Sequence, residues 1–296
     1  MSRAAALLLV LFAPVAAQAE LYYLIVGGLG GEKTYEERFA SYADSLASAA
    51  RRTVTDESRV TLLKGEDATR ENLRNALAEL AERTQEADSL VVALIGHGSY
   101  DGTLYKLNLR GPDLDGVELG ELLNAIAASS QIVVNATSAS GAVLEDWTAE
   151  GRTVITATRS GAERNATRFA EHWVDALSDE EADLNKNGRI TAQEAFDYAS
   201  RKVADSYEAE GKLATEHPQL AGDLAGRFDV ARLTARVSTT PRLQALNGEL
   251  EGLEEEVAEL RLRRESMPAD EYLSQLQELL VQLALVQQQI DAAGAQ

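Results

Sequence analysis

Residues 89–98 read SLVVALIGHG. The apolar residues 90–95 run without polar alternation, the mark of a strand buried on both faces. The run stops in Gly96-His97-Gly98, where a strand gives way to a turn. Comparable runs lie at 21–26 (LYYLIV), 59–63 (RVTLL), 131–134 (QIVV) and 153–158 (TVITAT). Between them fall helical patterns: 35–52, a segment opened by Thr69 as N-cap with Leu73, Leu77 and Leu80 on one face, and 119–128. Apolar strands alternating with helices predict an α/β domain whose mostly parallel sheet is covered on both faces. Residues 102–115 (GTLYKLNLRGPDLD) break the rhythm and predict a hairpin or loop on the rim.

Two further regions follow. Helical patterns at 168–177 and 191–207 flank an acidic loop. Beyond Pro241, the residues Leu243, Leu246, Leu250, Leu253, Val257 and Leu260 step by three and four, as in a coiled-coil seam. Met267-Pro268-Ala269-Asp270 interrupts it, and Leu273, Leu276, Leu280, Leu283 and Ile290 resume it. The short break predicts an antiparallel helical hairpin over 241–293, either self-associating or packed on its own domain. The domains expected are a leader at 1–19, an α/β domain at 20–238 and this hairpin.

Composition narrows the function. The chain has 296 residues, 28 Lys+Arg against 48 Asp+Glu, and a formal charge of -20. Such a surface repels a phosphate backbone, so nucleic acid is not an expected partner. There is no cysteine, which excludes disulfides, thiolate metal sites and a cysteine nucleophile. Met1-Ser2-Arg3, the apolar stretch 4–16 and Ala17-Gln18-Ala19 read as a signal peptide with its cleavage site, predicting a secreted or periplasmic protein starting at Glu20. No later apolar run is long enough to span a membrane. Asn135-Ala136-Thr137 fits the glycosylation pattern but ends an apolar strand, so it is set aside. In residues 27–34 (GGLGGEKT), Glu32 stands where a phosphate loop needs glycine, and a carboxylate there repels phosphate. Three scattered histidines make no zinc site; His172 reads as structural and His217 lies in an irregular stretch.

Residues 183–194 (DLNKNGRITAQE) match a twelve-residue EF-hand loop. Asp183, Asn185 and Asn187 place side-chain oxygens at positions one, three and five. Gly188 allows the sharp turn at six, Arg189 offers its carbonyl at seven, Thr191 sits at nine, and Glu194 can bind through both oxygens at twelve. Ca²⁺ requires such an oxygen cage. With two formal charges among the ligands and no second loop beside it, modest affinity and a structural role are expected.

The strand ending in His97 and the one running into residues 135–141 (NATSASG) both finish at the carboxyl edge of a parallel sheet, where ligands bind. His97 is placed there to act as acid or base. The strand order, the ending VVALIGHG and the ending QIVVNATSASG resemble the caspase-like fold, and within it the legumain-type peptidases, over about residues 20–210. The resemblance implies a peptide-binding cleft and makes His97 the counterpart of the family's catalytic histidine. Residues 27–31 and 157–161 are similar to bacterial members, which can carry an inserted calcium loop. Where the family has its cysteine, this chain has Ser138, with Ser140 and Gly141 matching. A serine hydroxyl needs a base held by a third group. No orienting carboxylate is evident, Asp101 and Asp146 being merely close in sequence. His97 and Ser138 are therefore a vestigial dyad in a non-catalytic binding or scaffold module, or, alternatively, the base and nucleophile of a peptide hydrolase. A third reading makes the hairpin the working part.

Overall fold

The computed structural model describes residues 19–233, 241–264 and 267–294. The expected leader, apart from Ala19, and the domain boundary at 238 lie outside the described residues.

The chain opens with β1 (Leu21–Gly27), α1 (Lys33–Thr53), β2 (Val60–Lys64), α2 (Arg70–Arg83) and β3 (Ser89–Ile95). The rim segment is a small antiparallel sheet of β4 (Gly98–Tyr100), β5 (Tyr105–Leu107) and β6 (Leu114–Asp115). Next come α3 (Gly116–Asn124), β7 (Ser130–Asn135), the single turn α4 (Leu144–Trp147), β8 (Arg152–Thr156) and α5 (Phe169–Ala176). Then follow β9 (Arg189–Thr191), α6 (Ala192–Ala209), β10 (Gln219–Ala221) and β11 (Asp229–Arg232), and the chain closes with α7 (Pro241–Leu262) and α8 (Ala269–Gly294).

The main sheet has the order β10-β8-β7-β3-β1-β2. Five strands are parallel, and β10 joins the β8 edge antiparallel. Strand side chains alternate between faces, and here each face meets a core. Tyr23, Ile25, Val91, Ala93, Ile132, Val134 and Ile155 face α1, α5 and α6, meeting Phe39, Leu46, Trp173 and Tyr198. Tyr22, Leu24, Val26, Leu90, Val92, Leu94 and Val133 face α2 and α3, meeting Leu73, Leu77, Leu119 and Trp147. Continuous apolar strands are therefore required, and alternation is absent.

Helix starts follow local chemistry. Thr69 Oγ1 accepts the Asn72 amide at 3.1 Å, the cap expected for α2. Asp115 accepts from Glu118 at 2.9 Å and starts α3. Thr191 and Glu194 form a reciprocal capping box at α6. The two-stranded ribbon of β9 and β11 has no sequence counterpart, because strands of three and four residues are too short for a periodic signal.

The hairpin forms, with one correction to its seam. On α7, Leu246, Leu253, Val257 and Leu260 are buried, as the stepping predicts. On α8 the inward residues are Leu279, Leu283, Val286 and Ile290. Leu273 and Leu280, read as seam positions, are 60% and 48% exposed. Seven residues of α-helix turn nearly twice around, so these two share one face, and it is the face turned away from α7. Leu246, Leu253 and Val286 share one apolar cluster, and Leu260, near the end of α7, lines the same groove as Leu279, in the first half of α8, so the helices run antiparallel. No described helix is long and apolar enough to cross a membrane.

Leu94 is fully buried at the centre of the sheet. Leu94→Ala is expected to destabilise the chain by ~2–5 kcal/mol, read as a lower urea midpoint with an unchanged slope.

Candidate functional site

Four parallel strands finish side by side at the carboxyl edge. There the Gly28 amide donates to the Ile95 carbonyl (2.8 Å), Ala136 to Leu94 (2.9 Å) and Ala157 to Asn135 (3.0 Å). These bonds carry the ladder past the strand ends and hold the turns in register. Gly98 lies against residue 138: a Cβ there would come within 2.4 Å of the Ser138 carbonyl and 2.6 Å of Thr137 Oγ1. Only glycine allows that approach, which is the physical reason for glycine after His97. The structure thus brings the His97 and Ser138 segments together.

His97 is half-buried, its ring edge-on to Tyr35 (centroids 4.8 Å apart) and Phe39 (5.0 Å) at the start of α1. Burial lowers the imidazole pKa; a hydrogen bond with the Gly30 backbone and the charge of Glu32 oppose it. Ser138 is 2% exposed. Among the described residues, no hydrogen bond joins the His97 ring to the Ser138 hydroxyl. Asp101 accepts the Thr103 and Leu104 amides at 2.9 Å each, shaping the β4–β5 turn, so its carboxylate is engaged there.

Beneath Ser138 lies a buried polar floor. Asn135 Oδ1 accepts from Thr137 Oγ1 (2.8 Å), the Thr137 amide and the Tyr105 hydroxyl (each 3.3 Å). The Tyr105 and Thr137 hydroxyls are 2.7 Å apart, and burial pushes the Tyr105 phenol up to about 12. Asn135 is fully buried, which accords with setting aside its glycosylation pattern. Ser140 Oγ accepts the Thr158 amide at 3.2 Å, and Thr158 Oγ1 accepts the Gly141 amide at 2.9 Å, locking the β7 turn to the β8 turn. Between the two serines, Ala139 takes φ of 56°, a left-handed conformation that costs an alanine about 1 kcal/mol. Its amide donates to the Glu163 carbonyl at 2.8 Å.

The same edge holds a pair that sequence reading missed. Glu163 accepts from the His217 amide at 3.1 Å and lies 2.5 Å from His217 Nδ1. His217 precedes β10, and extending the β10–β8 register sets it across from Thr158. Fifty-four residues separate the partners, and no local pattern links them.

The predicted calcium loop is a compact turn of amide-to-side-chain bonds. Asp183 Oδ1 accepts from Asn187 (3.1 Å) and Oδ2 from Gly188 (2.8 Å). Asn185 Oδ1 accepts from Asn187 (3.0 Å), and Asn187 Oδ1 from Arg189 (2.9 Å). Glu194 closes the loop: Oε1 accepts from Leu184 (3.2 Å), Oε2 from the Thr191 amide and hydroxyl (2.9 and 2.8 Å). Gly188, at position six, has φ of 76°, the sharp turn for which glycine is suited. Asp183 and Glu194 are 4% and 8% exposed, and among the described residues neither has a basic partner. Two buried carboxylates without a cation fit an oxygen-seeking ion. Among the described residues no three His, Asp or Glu side chains gather as a metal group; this loop would rely on two carboxylates, two amide oxygens and a carbonyl.

Residues 41–134 match the family model of the caspase domain. The match includes His97 and stops before Ser138. With the sheet and helix layers above, it makes the fold caspase-like. No curated protein matches the chain. The crystal structure of protein GSU0716 from Geobacter sulfurreducens is similar over 74% of this chain and 98% of that one, at 13% identity and a TM-score of 0.46.

The lowered pKa of His97 makes the stability of the chain depend on pH. The unfolded chain takes up the proton near ~6.5, before the folded chain does. Stability at this site therefore falls as pH drops from that value toward the lower folded one. An NMR titration of the His97 ring is expected to report a pKa below the ordinary value, moving back up in Tyr35→Ala. A value at or above the ordinary one would contradict this account of the pocket.

Proposed function

We propose that this chain is an exported, calcium-binding protein of legumain type whose cleft binds peptide or protein segments without cleaving them. The observation that carries the reading is the state of Ser138. It stands where the resemblance puts the nucleophile, in a chain with no cysteine, and its hydroxyl is buried with no hydrogen bond to His97. A serine becomes a nucleophile through an oriented base. The His97 ring instead rests on Tyr35 and Phe39.

The calcium part rests on the loop. Asp183, Asn185, Asn187, the Arg189 carbonyl and Glu194 would hold the ion, with Thr191 at position nine acting directly or through water; the ion supplies the positive charge that Asp183 and Glu194 lack. The outer face of α8, with Leu273, Leu280, Val281 and Leu285 exposed, offers a surface for self-association.

One observation favours a second reading. Gly98 against Ser138 puts His97 and Ser138 on neighbouring strand ends, the placement a hydrolase with Ser138 as nucleophile and His97 as base needs.

A peptide-library assay on the chain with Ca²⁺, beside Ser138→Ala, separates the two. Peptide capture without turnover in either form is the expected result; turnover that vanishes in Ser138→Ala would replace it with the hydrolase. For the ion, a free Ca²⁺ level a hundredfold above Kd is expected to add ~2.7 kcal/mol, seen as a melting temperature several degrees higher than in chelator. Equal melting temperatures would remove calcium from the reading.

A further inference from the structure

The calcium loop and the C-terminal hairpin share a residue. Arg189, at loop position seven, would give its backbone carbonyl to the ion. Its guanidinium lies 3.2 Å from Asp229 on β11 and 3.3 Å from Glu254 on α7. The Arg189 side chain is 11% exposed, its partners 28% and 22%. Water therefore screens this triad less than it screens a surface pair.

The same stretch of loop also grips the chain that leads into the hairpin. The Leu233 amide donates to the Gly188 carbonyl at 3.0 Å. Arg232 pairs with Arg189 and Ala231 with Ile190 across the β9–β11 ribbon. Loop positions six to eight thus bind the last residues before the linker, and position seven reaches α7 itself.

Coordination at Arg189 acts on both connections. Fixing a carbonyl fixes the peptide plane, and with it the direction in which the side chain of that residue leaves the backbone. Without an ion, Asp183 and Glu194 are like charges buried in one small loop, and their repulsion favours a looser turn. A looser turn moves Arg189 relative to Asp229 and Glu254.

We infer that Ca²⁺ in the 183–194 loop governs how the α7–α8 hairpin docks on the α/β domain, through the Asp229–Arg189–Glu254 triad. This rests on the calcium reading above. Linkage makes the effect reciprocal: if the ion tightens docking, docking tightens the ion by the same factor. Glu254 lies outside the loop yet should influence its affinity.

The chain has no cysteine, so spin labels can be placed without removing native thiols. Glu208→Cys on α6 and Gln277→Cys on α8, both at exposed positions, report the distance between domain and hairpin in the full chain. A narrow distribution in CaCl₂ that broadens in chelator is expected. Glu254→Gln and Arg189→Met, the latter keeping the backbone carbonyl, should stay broad in both. Calorimetric titration with CaCl₂ should show several-fold weaker binding in Glu254→Gln than in the parent. Binding of CaCl₂ with the same distances in both conditions, or unchanged affinity in Glu254→Gln, overturns the coupling and leaves the calcium site standing. Failure of the parent chain to bind CaCl₂ overturns both.

Discussion

Strand β3 is hydrogen-bonded along both edges and packed on both faces, and the rest of the molecule is arranged around that. Its neighbours β1 and β7 run parallel to it, so each connection must cross the sheet, and helices cover the two faces. With faces and edges occupied, the free part of β3 is its end. His97 is there, and the ends of β7 and β8 stand beside it with Ser138, Ser140 and Thr158. The candidate site is therefore a consequence of sheet topology: the parallel strands stop together, and the polar residues that follow them meet along that one edge.

Buried acids show how a chain with a charge of -20 folds against its own repulsion. Glu216 is 2% exposed, and it accepts the Arg168 and Phe169 amides that open α5 as well as the Tyr207 hydroxyl. Burial still pushes its carboxyl up. Asp183 and Glu194 are also held by amides, here from a turn that folds back on itself. The difference is geometric. A helix N-terminus directs its amides at one carboxylate, whereas the 183–194 loop draws two carboxylates into one turn and gives them no basic partner among the described residues.

The β9–β11 ribbon connects these features. It leads into α6, whose first two amides, Ala192 and Gln193, donate to the Phe228 and Ala225 carbonyls just ahead of β11, and it presents Arg189 to the hairpin. A loop between two helices thereby reaches the C-terminal hairpin through one side chain.

Features that depend on neighbours a few residues apart were legible in the amino-acid sequence. Apolar runs such as 90–95 decided the buried parallel sheet, Thr69 decided where α2 starts, Gly188 and its flanking oxygens decided the loop, and the stepping of Leu246, Leu253 and Leu260 decided the inner face of α7. Each is a local pattern, because strand pleat, helix turn and capping act over two to five residues. Which face of α8 meets α7 was settled by long-range packing, since leucines at 273, 276, 279, 280, 283 and 285 allow more than one seam and contact with α7 selects one. Tertiary structure also decided that His97 rests on Tyr35 and Phe39, that Glu163 meets His217, and that Arg189 joins Asp229 to Glu254. These contacts span 40 to 65 residues, or 54 for the histidine pair. No periodicity encodes them; they exist because the sheet brings distant strand ends, and the ribbon distant loops, within reach of a side chain.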